Sequence, residues 1–324
     1  MATVTLAESA KLSQNKLVAG VIENIITVNR MYSSLPFTDI SGNALAYDRE
    51  ATLAPVATLG IGDEDGSIGS DVSDSATNAS ERQAAKDPAT FTQITVSLTT
   101  IMGDAEMNGL IQATRSNIND QTAIQIGSKA KSAGRKYQDM MINGVSGTNY
   151  EFDGLLSLCA DSQIVSAGTN GAALTFDAMD EVLDSIVDKD GDVDYMTAAS
   201  RTIRAFYGLL RDLGGTSAVD VVQLPDGKTI PAYRSVPLFR NDYIPVDATQ
   251  GTATTASYLF AGTFDDGSNS YGIAGLNAEN QSGLFVEDVG VHQTKDEHVW
   301  RVKWYAAMAL FSEKGLGMIE GLVD

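Results

Sequence analysis

Residues 60–80 read GIGDEDGSIGSDVSDSATNAS, and this stretch decides how the rest of the chain is read. It is built from turn formers and acids and carries almost no large apolar side chain, so it cannot bury a core of its own. Working outward, Ala44, Ala46 and the run Leu53–Leu59, broken by Pro55, alternate weakly, as an exposed or edge strand does. On the far side, Phe91, Ile94, Val96 and Leu98 stand among threonines in a clear return strand. From Asp39 to Ile101 the chain thus reads as one extended hairpin. Ten acids between Asp39 and Thr90 face only Arg49, Arg82 and Lys86. Long structureless insertions of this kind argue against a simple single-body fold. An arm that grips a neighbouring copy accounts for the segment, and the pattern points to self-assembly.

Directly after the hairpin, Met107, Ile111, Thr114, Ile118, Thr122, Ile126, Ala130, Ala133, Tyr137 and Met140 recur at steps of three and four. That spacing predicts one helix from Asp104 to Asn143, roughly 55 Å long, with Gly127 and Gly134 as points where it could bend. Ahead of the hairpin, Leu6, Leu12, Leu17, Val21, Ile22, Ile25 and Ile26 predict a mostly helical arm that Leu35-Pro36 stops.

A mixed body follows. Helices are expected around Phe176–Val187 and Ile203–Leu213, the second closed by Gly214-Gly215, with a short strand at Val193–Met196 between them. Strands are expected at Val219–Leu224, Thr229–Tyr233, Tyr258–Gly262 and Ser270–Ala274. The C-terminal alternation is the cleanest in the chain: Trp300, Val302, Trp304, Ala306, Met308 and Leu310 on one face, Arg301, Lys303 and Tyr305 on the other. Phe285–Val291 is its hairpin partner across the turn at 294–297.

Composition narrows the function classes. The chain has 324 residues, 43% hydrophobic, and a formal charge of −20. That suits a sizeable folded core and is the wrong sign for gripping phosphate backbones. An acidic wall would instead let nucleic acid slide past. A single cysteine, Cys159, and two histidines, His292 and His298, leave no intramolecular disulfide and no ordinary structural zinc site. No apolar run is long enough to span a membrane, and Met1–Gln14 lacks the pattern of a signal peptide.

Local motifs read as structure. Asp188–Asp194 has the acids of a calcium loop, but Val193 stands where glycine is needed and Ala199 where the bidentate glutamate is needed, so it is a solvated turn. Gly60, Gly62 and Gly66 miss the dinucleotide spacing and enclose acids that would repel a pyrophosphate. The two histidines have no nucleophile or metal partner at useful spacing. No catalytic residue, cofactor site or metal site is expected.

The order of N-terminal arm, acidic loop, long helix, mixed body and closing hairpin resembles the major capsid proteins of tailed bacteriophages, with their Hong Kong 97-like fold. Residues 19–26 through Phe37 are similar to that family's arm, residues 43–47 to the start of its extended loop, and residues 230–245 to a strand pair of its axial domain. The resemblance implies an α+β fold divided as follows: arm 1–38, extended loop 39–101, peripheral domain 102–143 with 284–305, and axial domain 144–283 with 306–324. It implies a non-enzymatic shell protein forming hexamers and pentamers of a virion capsid assembled in the host bacterial cytoplasm. The implied partners are a separate scaffolding protein, a portal, a decoration protein and packaged double-stranded DNA. Asp63, Glu64, Asp65, Arg82, Lys86, Arg301 and Lys303 would make intersubunit contacts. Arg115, Lys129, Lys131, Arg135 and Lys136 would face DNA or acidic neighbours, or form a solvated helix face. The covalent cross-link of the founding shells, between a loop Lys and an Asn of a neighbour's peripheral domain, would lack its acceptor here, because no Asn follows Asn280. A shell of the same fold that houses enzymes, an encapsulin-like nanocompartment, is the alternative. A cytosolic enzyme with residues 40–100 as a mobile lid is the alternative of another class.

Overall fold

The computed structural model describes residues 30–56, 88–115, 120–188, 191–212, 220–223 and 229–323. They divide into a main unit and a smaller one spanning Leu45–Thr95. The expected helical arm lies, apart from the short helix α1 (Arg30–Ser34), outside the described residues.

The main unit holds two sheets. The first has five strands, β1 (Phe37–Ile40), β4 (Thr99–Asn108), β12 (Ile273–Ala278), β13 (Phe285–Val291) and β14 (Glu297–Leu310). β14 organises it. Its full N-terminal stretch pairs antiparallel with β4, from Glu297 opposite Asn108 to Ala306 opposite Thr99. On its other edge it pairs with β13 through residues 298–303 and with β12 through residues 306–310. The expected hairpin is therefore present, and Val302, Trp304 and Ala306 fall on the buried face. Trp300, expected on the same face, is only half-buried while Val299 beside it is buried, and from Ala306 to Leu310 both faces are covered.

The helix predicted from Asp104 to Asn143 is shorter and later. Residues 99–108 are strand β4, a helix α2 occupies Gly109–Arg115, and the long helix α3 runs from Gln121 to Asn143, about 35 Å. Met107 fits both periods, but in β4 it is Ile101, Ala105 and Met107 that are buried, all at even spacing. A ten-residue ladder to β14 satisfies the backbone of this stretch, and tertiary pairing overrides the helical spacing. The true helix start has a local cause: the Asp120 carboxylate accepts from the N–H groups of Thr122 (3.0 Å) and Ala123 (3.2 Å).

Helix α3 docks on this sheet through an aromatic cluster. Tyr137, fully buried, stacks on Trp304 with centroids 4.5 Å apart, and Phe152, Tyr32 and Phe37 close around it. The Trp304 indole N–H donates to the Asn277 Oδ1 at 3.0 Å. Gly275 lies beneath the Phe37 ring, where a Cβ would come within 2.5 Å of it.

The second sheet has eight strands in the order β5-β15-β11-β6-β9-β8-β7, with β10 (Ala248–Gln250) on the side of β11. Here β5 is Ile164–Ser166, β6 Tyr195–Ala198, β7 Asp220–Gln223, β8 Thr229–Tyr233, β9 Val236–Arg240, β11 Ala253–Gly262 and β15 Leu316–Leu322. After the four-residue helix α4 (Leu155–Leu158), helices α5 (Phe176–Val187) and α6 (Ser200–Asp212) contribute to this unit's core, with Met179, Leu183, Phe206, Leu259 and Ile319 at its centre. Two expected boundaries move. β12 and residues 306–310 were expected with the 144–283 body, yet both hydrogen-bond into the first sheet, because β14 runs straight through the expected break at 305/306.

The smaller unit is a two-stranded ribbon, β2 (Ala44–Thr52) and β3 (Thr90–Ser97). It lies within the hairpin expected from Asp39 to Ile101, but the ends of that range belong to β1 and β4 of the first sheet. Residues 53–56 of the expected strand run form no strand, and the tip lies outside the described residues.

Candidate assembly surfaces

Two-stranded ribbons are marginal by themselves in water. Within this one, alternate residues of β2 are only half covered and most of β3 is exposed. Leu53 is 77% exposed, Val56 94% and Phe91 67%. The ribbon's own contacts are small: the Thr52 and Thr90 hydroxyls meet at 2.5 Å, and the Arg49 guanidinium lies over the Tyr47 ring. Asp63, Glu64, Asp65, Arg82 and Lys86, expected to make contacts at its tip, lie outside the described residues.

A second surface is the β13 edge of the five-stranded sheet. Val286, Val289 and Val291 are exposed there, with Glu287 and Asp288 between the first two. The ladder to β14 is interrupted between Asp288 and Gly290, and Gly290 takes φ +93°. A bulge of this kind twists an edge and limits open-ended strand addition.

The sequence-selected cations are placed unevenly. Arg301 sits directly opposite Asp104 and holds its carboxylate with two bonds, of 2.7 and 2.9 Å. That contact, first as a hydrogen bond and then as charge, keeps the Asp104 carboxyl below the usual carboxylate range. Lys303 pairs with Glu287. Both cations expected to receive a neighbour's acids thus have carboxylate partners within their own chain. On α3, Lys136 pairs with Glu151 at 2.7 Å and lies 3.7 Å from Asp139. The stem of Lys129 reaches the backbone of β4 at Gly103. At 3.6 residues per turn Lys129 and Lys136 share one edge of the helix and Lys131 and Arg135 another, so these cations do not make one basic face. Arg115 ends α2, apart from α3.

The motifs read as structural are placed as follows. Asp192 Oδ1 accepts from the Val193 N–H, and Asp194 Oδ2 from the Phe264 N–H at 2.8 Å. Among the described residues no group of three His, Cys, Asp or Glu side chains is arranged to hold a metal. His298 bonds to Asp288 and stacks on Trp300, while His292 Nδ1 lies 3.2 Å from the Thr294 N–H and hydroxyl in the hairpin turn. A cleft of about 360 Å³ opens at the start of α6, lined by Ser200, Arg201, Arg204 and Asn241. Arg201 there is a staple, donating to the carbonyls of Val246, Thr255 and Leu322. Cys159 is buried, and burial pushes its thiol up to about 12, far from the range of a reactive cysteine.

Residues 116–323 match a family model, the SrpI-like type 2A encapsulin shell proteins. The chain belongs to the SrpI-like family. Its fold is that of encapsulins and phage capsids alike. The holo-SrpI encapsulin complex of Synechococcus elongatus PCC 7942 superposes with a TM-score of 0.70 at 18% identity, covering 99% of this chain and 96% of that one. The capsid of a native GTA particle gives 0.63 at 11% identity with both chains fully covered. The capsid of the Myoviridae phage XM1 gives 0.61 at 11% identity, covering 95% and 97%. None of the curated proteins compared matches the chain. The SrpI-like protein is therefore a self-associating, shell-forming subunit with the Hong Kong 97-like fold. The expected assignment to a phage virion is not what the family match gives; the match lies with the nanocompartment alternative.

Proposed function

We propose that this chain is the shell subunit of an encapsulin nanocompartment, a closed protein container that surrounds cargo enzymes in a bacterial cytoplasm and performs no chemistry itself. The family match over residues 116–323 carries this reading. The bare two-stranded ribbon supports it, because Leu53, Val56 and Phe91 need a neighbour to cover them. On this reading the five-stranded sheet with α3 is the peripheral domain. The eight-stranded sheet with α5 and α6 is the axial domain, around which pentamers and hexamers close. The net charge of −20 fits a container that has no need to hold nucleic acid.

The second reading is the major capsid protein of a tailed phage, with scaffold, portal, decoration protein and DNA as partners. It is favoured by the likeness of fold to phage capsids. The contents of purified particles separate the two. Nuclease-treated particles from the native host are opened, and their nucleic acid and proteins measured. A protected protein of defined identity with little nucleic acid is expected. Long double-stranded DNA inside the particle would replace the nanocompartment reading with the phage one.

A further inference from the structure

The loop that follows α3 carries a conformation that its sequence should avoid. Glu151 N–H donates to the Thr148 carbonyl at 3.0 Å, closing a four-residue turn. Both central residues are left-handed, Asn149 at φ +52° and Tyr150 at φ +58°. Two positive φ values in succession define the turn type whose favoured sequence is Asn-Gly. Asn149 fits that preference, but Tyr150 stands where glycine belongs. A bulky residue there is an outlier.

The turn is not loose. Gly144 and Gly154 close its base, with the Gly154 N–H donating to the Gly144 carbonyl at 2.9 Å. A Cβ on Gly144 would collide with the Phe152 carbonyl and one on Gly154 with the Ile142 carbonyl. Within the loop, the Ser146 N–H donates to Asp153 at 2.7 Å, and Glu151 is held by Lys136. Phe152, two residues from the tip, is buried against Tyr137 in the aromatic cluster. The result is a rigid mount whose tip holds Tyr150 94% exposed, with Val145 exposed near the start of the loop.

Strained positions persist where the side chain is used. Among the described residues nothing uses this ring, since it is almost wholly in solvent. Tyrosine is among the residues that dominate protein–protein contacts, filling apolar pockets while its hydroxyl finds an acceptor, and a mount already fixed spares the ordering cost on docking. In a shell, the surfaces that meet a subunit around its edges belong to other copies of the same chain. We infer that Tyr150 is an intersubunit anchor, seated in an apolar recess of a neighbouring copy. The inference rests on the shell-forming reading above.

Three proteins test it: the full chain, Tyr150→Gly and Tyr150→Phe. Wild-type particles are first imaged; if no shell forms, it is the shell reading that fails. With shells in hand, the protein concentration below which they dissociate is measured by light scattering. The thermal midpoint of the dissociated subunit is measured separately. Tyr150→Gly relieves the backbone and removes the ring, so the subunit should melt no lower than wild type while the dissociation concentration rises about tenfold or more. Tyr150→Phe keeps the ring and should stay close to wild type in both. A Tyr150→Gly shell that dissociates within about twofold of wild type would overturn the inference. So would a parallel loss of subunit and shell stability, which would give the ring a role inside its own fold.

Discussion

Tyr137 offers the sharpest test of how the first sheet and α3 are joined. Its ring is fully buried, stacked on Trp304 and flanked by Phe152, Tyr32 and Phe37. Replacing it with alanine removes a ring from a site with no access to water and leaves a cavity lined by four other aromatics. Such truncations cost about 3–5 kcal/mol, and the lost stack belongs within that sum. Against a typical domain stability of about 5–15 kcal/mol, the loss is a large share. Tyr137→Phe should behave quite differently. The hydroxyl donates to the Ala307 carbonyl at 3.3 Å, a long bond, so its removal should cost about 0.5–1 kcal/mol. The assay is guanidinium unfolding of dissociated full-length subunits, followed by tryptophan fluorescence, with Trp304 as the reporter in contact. The midpoint should move far for alanine and little for phenylalanine, at unchanged slope. An alanine variant that loses less than about 1 kcal/mol, or two variants with equal losses, would refute the claim that this cluster fixes the helix to the sheet.

Other outcomes follow from the same structure. Cys159, buried with its thiol pushed up to about 12, should resist alkylation in native particles at pH 8 and react fully in denaturant; rapid native labelling would contradict its placement. Tyr32 is raised to about 12 by burial, and Tyr137 is raised by burial and by Tyr32 beside it. Each of these groups, like Cys159, has a folded pKa above its unfolded one, so the fold retains protons the unfolded chain releases. Their contribution is complete below the unfolded values and is lost as pH rises toward the folded ones. Denaturant midpoints should therefore fall from pH 8 to pH 11, and Cys159→Ala should flatten the slope by about 1–2 kcal/mol at pH 10; a pH-independent midpoint would contradict it. Shells boiled in detergent should run as one band at the mass of a single chain, since Phe285–Phe311 holds no Asn to accept a cross-link; a ladder of covalent oligomers would show another acceptor in use.

Some of this was legible in the residues and some could not be. The closing hairpin was readable because apolar residues alternate from Trp300 to Leu310, a period that means strand when the run is long, although only Val302, Trp304 and Ala306 follow it closely in burial. The ribbon of β2 and β3 was readable from weak alternation at Ala44 and Ala46 and the clear alternation of Phe91, Ile94, Val96 and Leu98 among threonines. The start of the long helix was misread, because Met107 and Ile111 continue the helical spacing backward into β4. What fixes β4 as a strand is its pairing with residues nearly two hundred positions later, which no local window contains. β12 was placed too early and too short because Gly275 and Asn277 have weak strand preference; they are there for the Phe37 ring and the Trp304 indole. At the assembly surfaces, the charges of Arg301 and Lys303 were visible, but their partners Asp104 and Glu287 come only with the register of the sheet. Tyr150 carried no signal at all, since nothing in its sequence neighbourhood except Asn149 marks a left-handed turn.

The central claim is that this subunit closes into a container by itself. The most direct measurement is electron microscopy of the full chain produced alone in a bacterial host, without any other gene from its source. Closed, hollow shells of uniform diameter are expected, formed without scaffold or portal. Small soluble oligomers, or shells that appear only when a scaffolding protein is supplied, would contradict it.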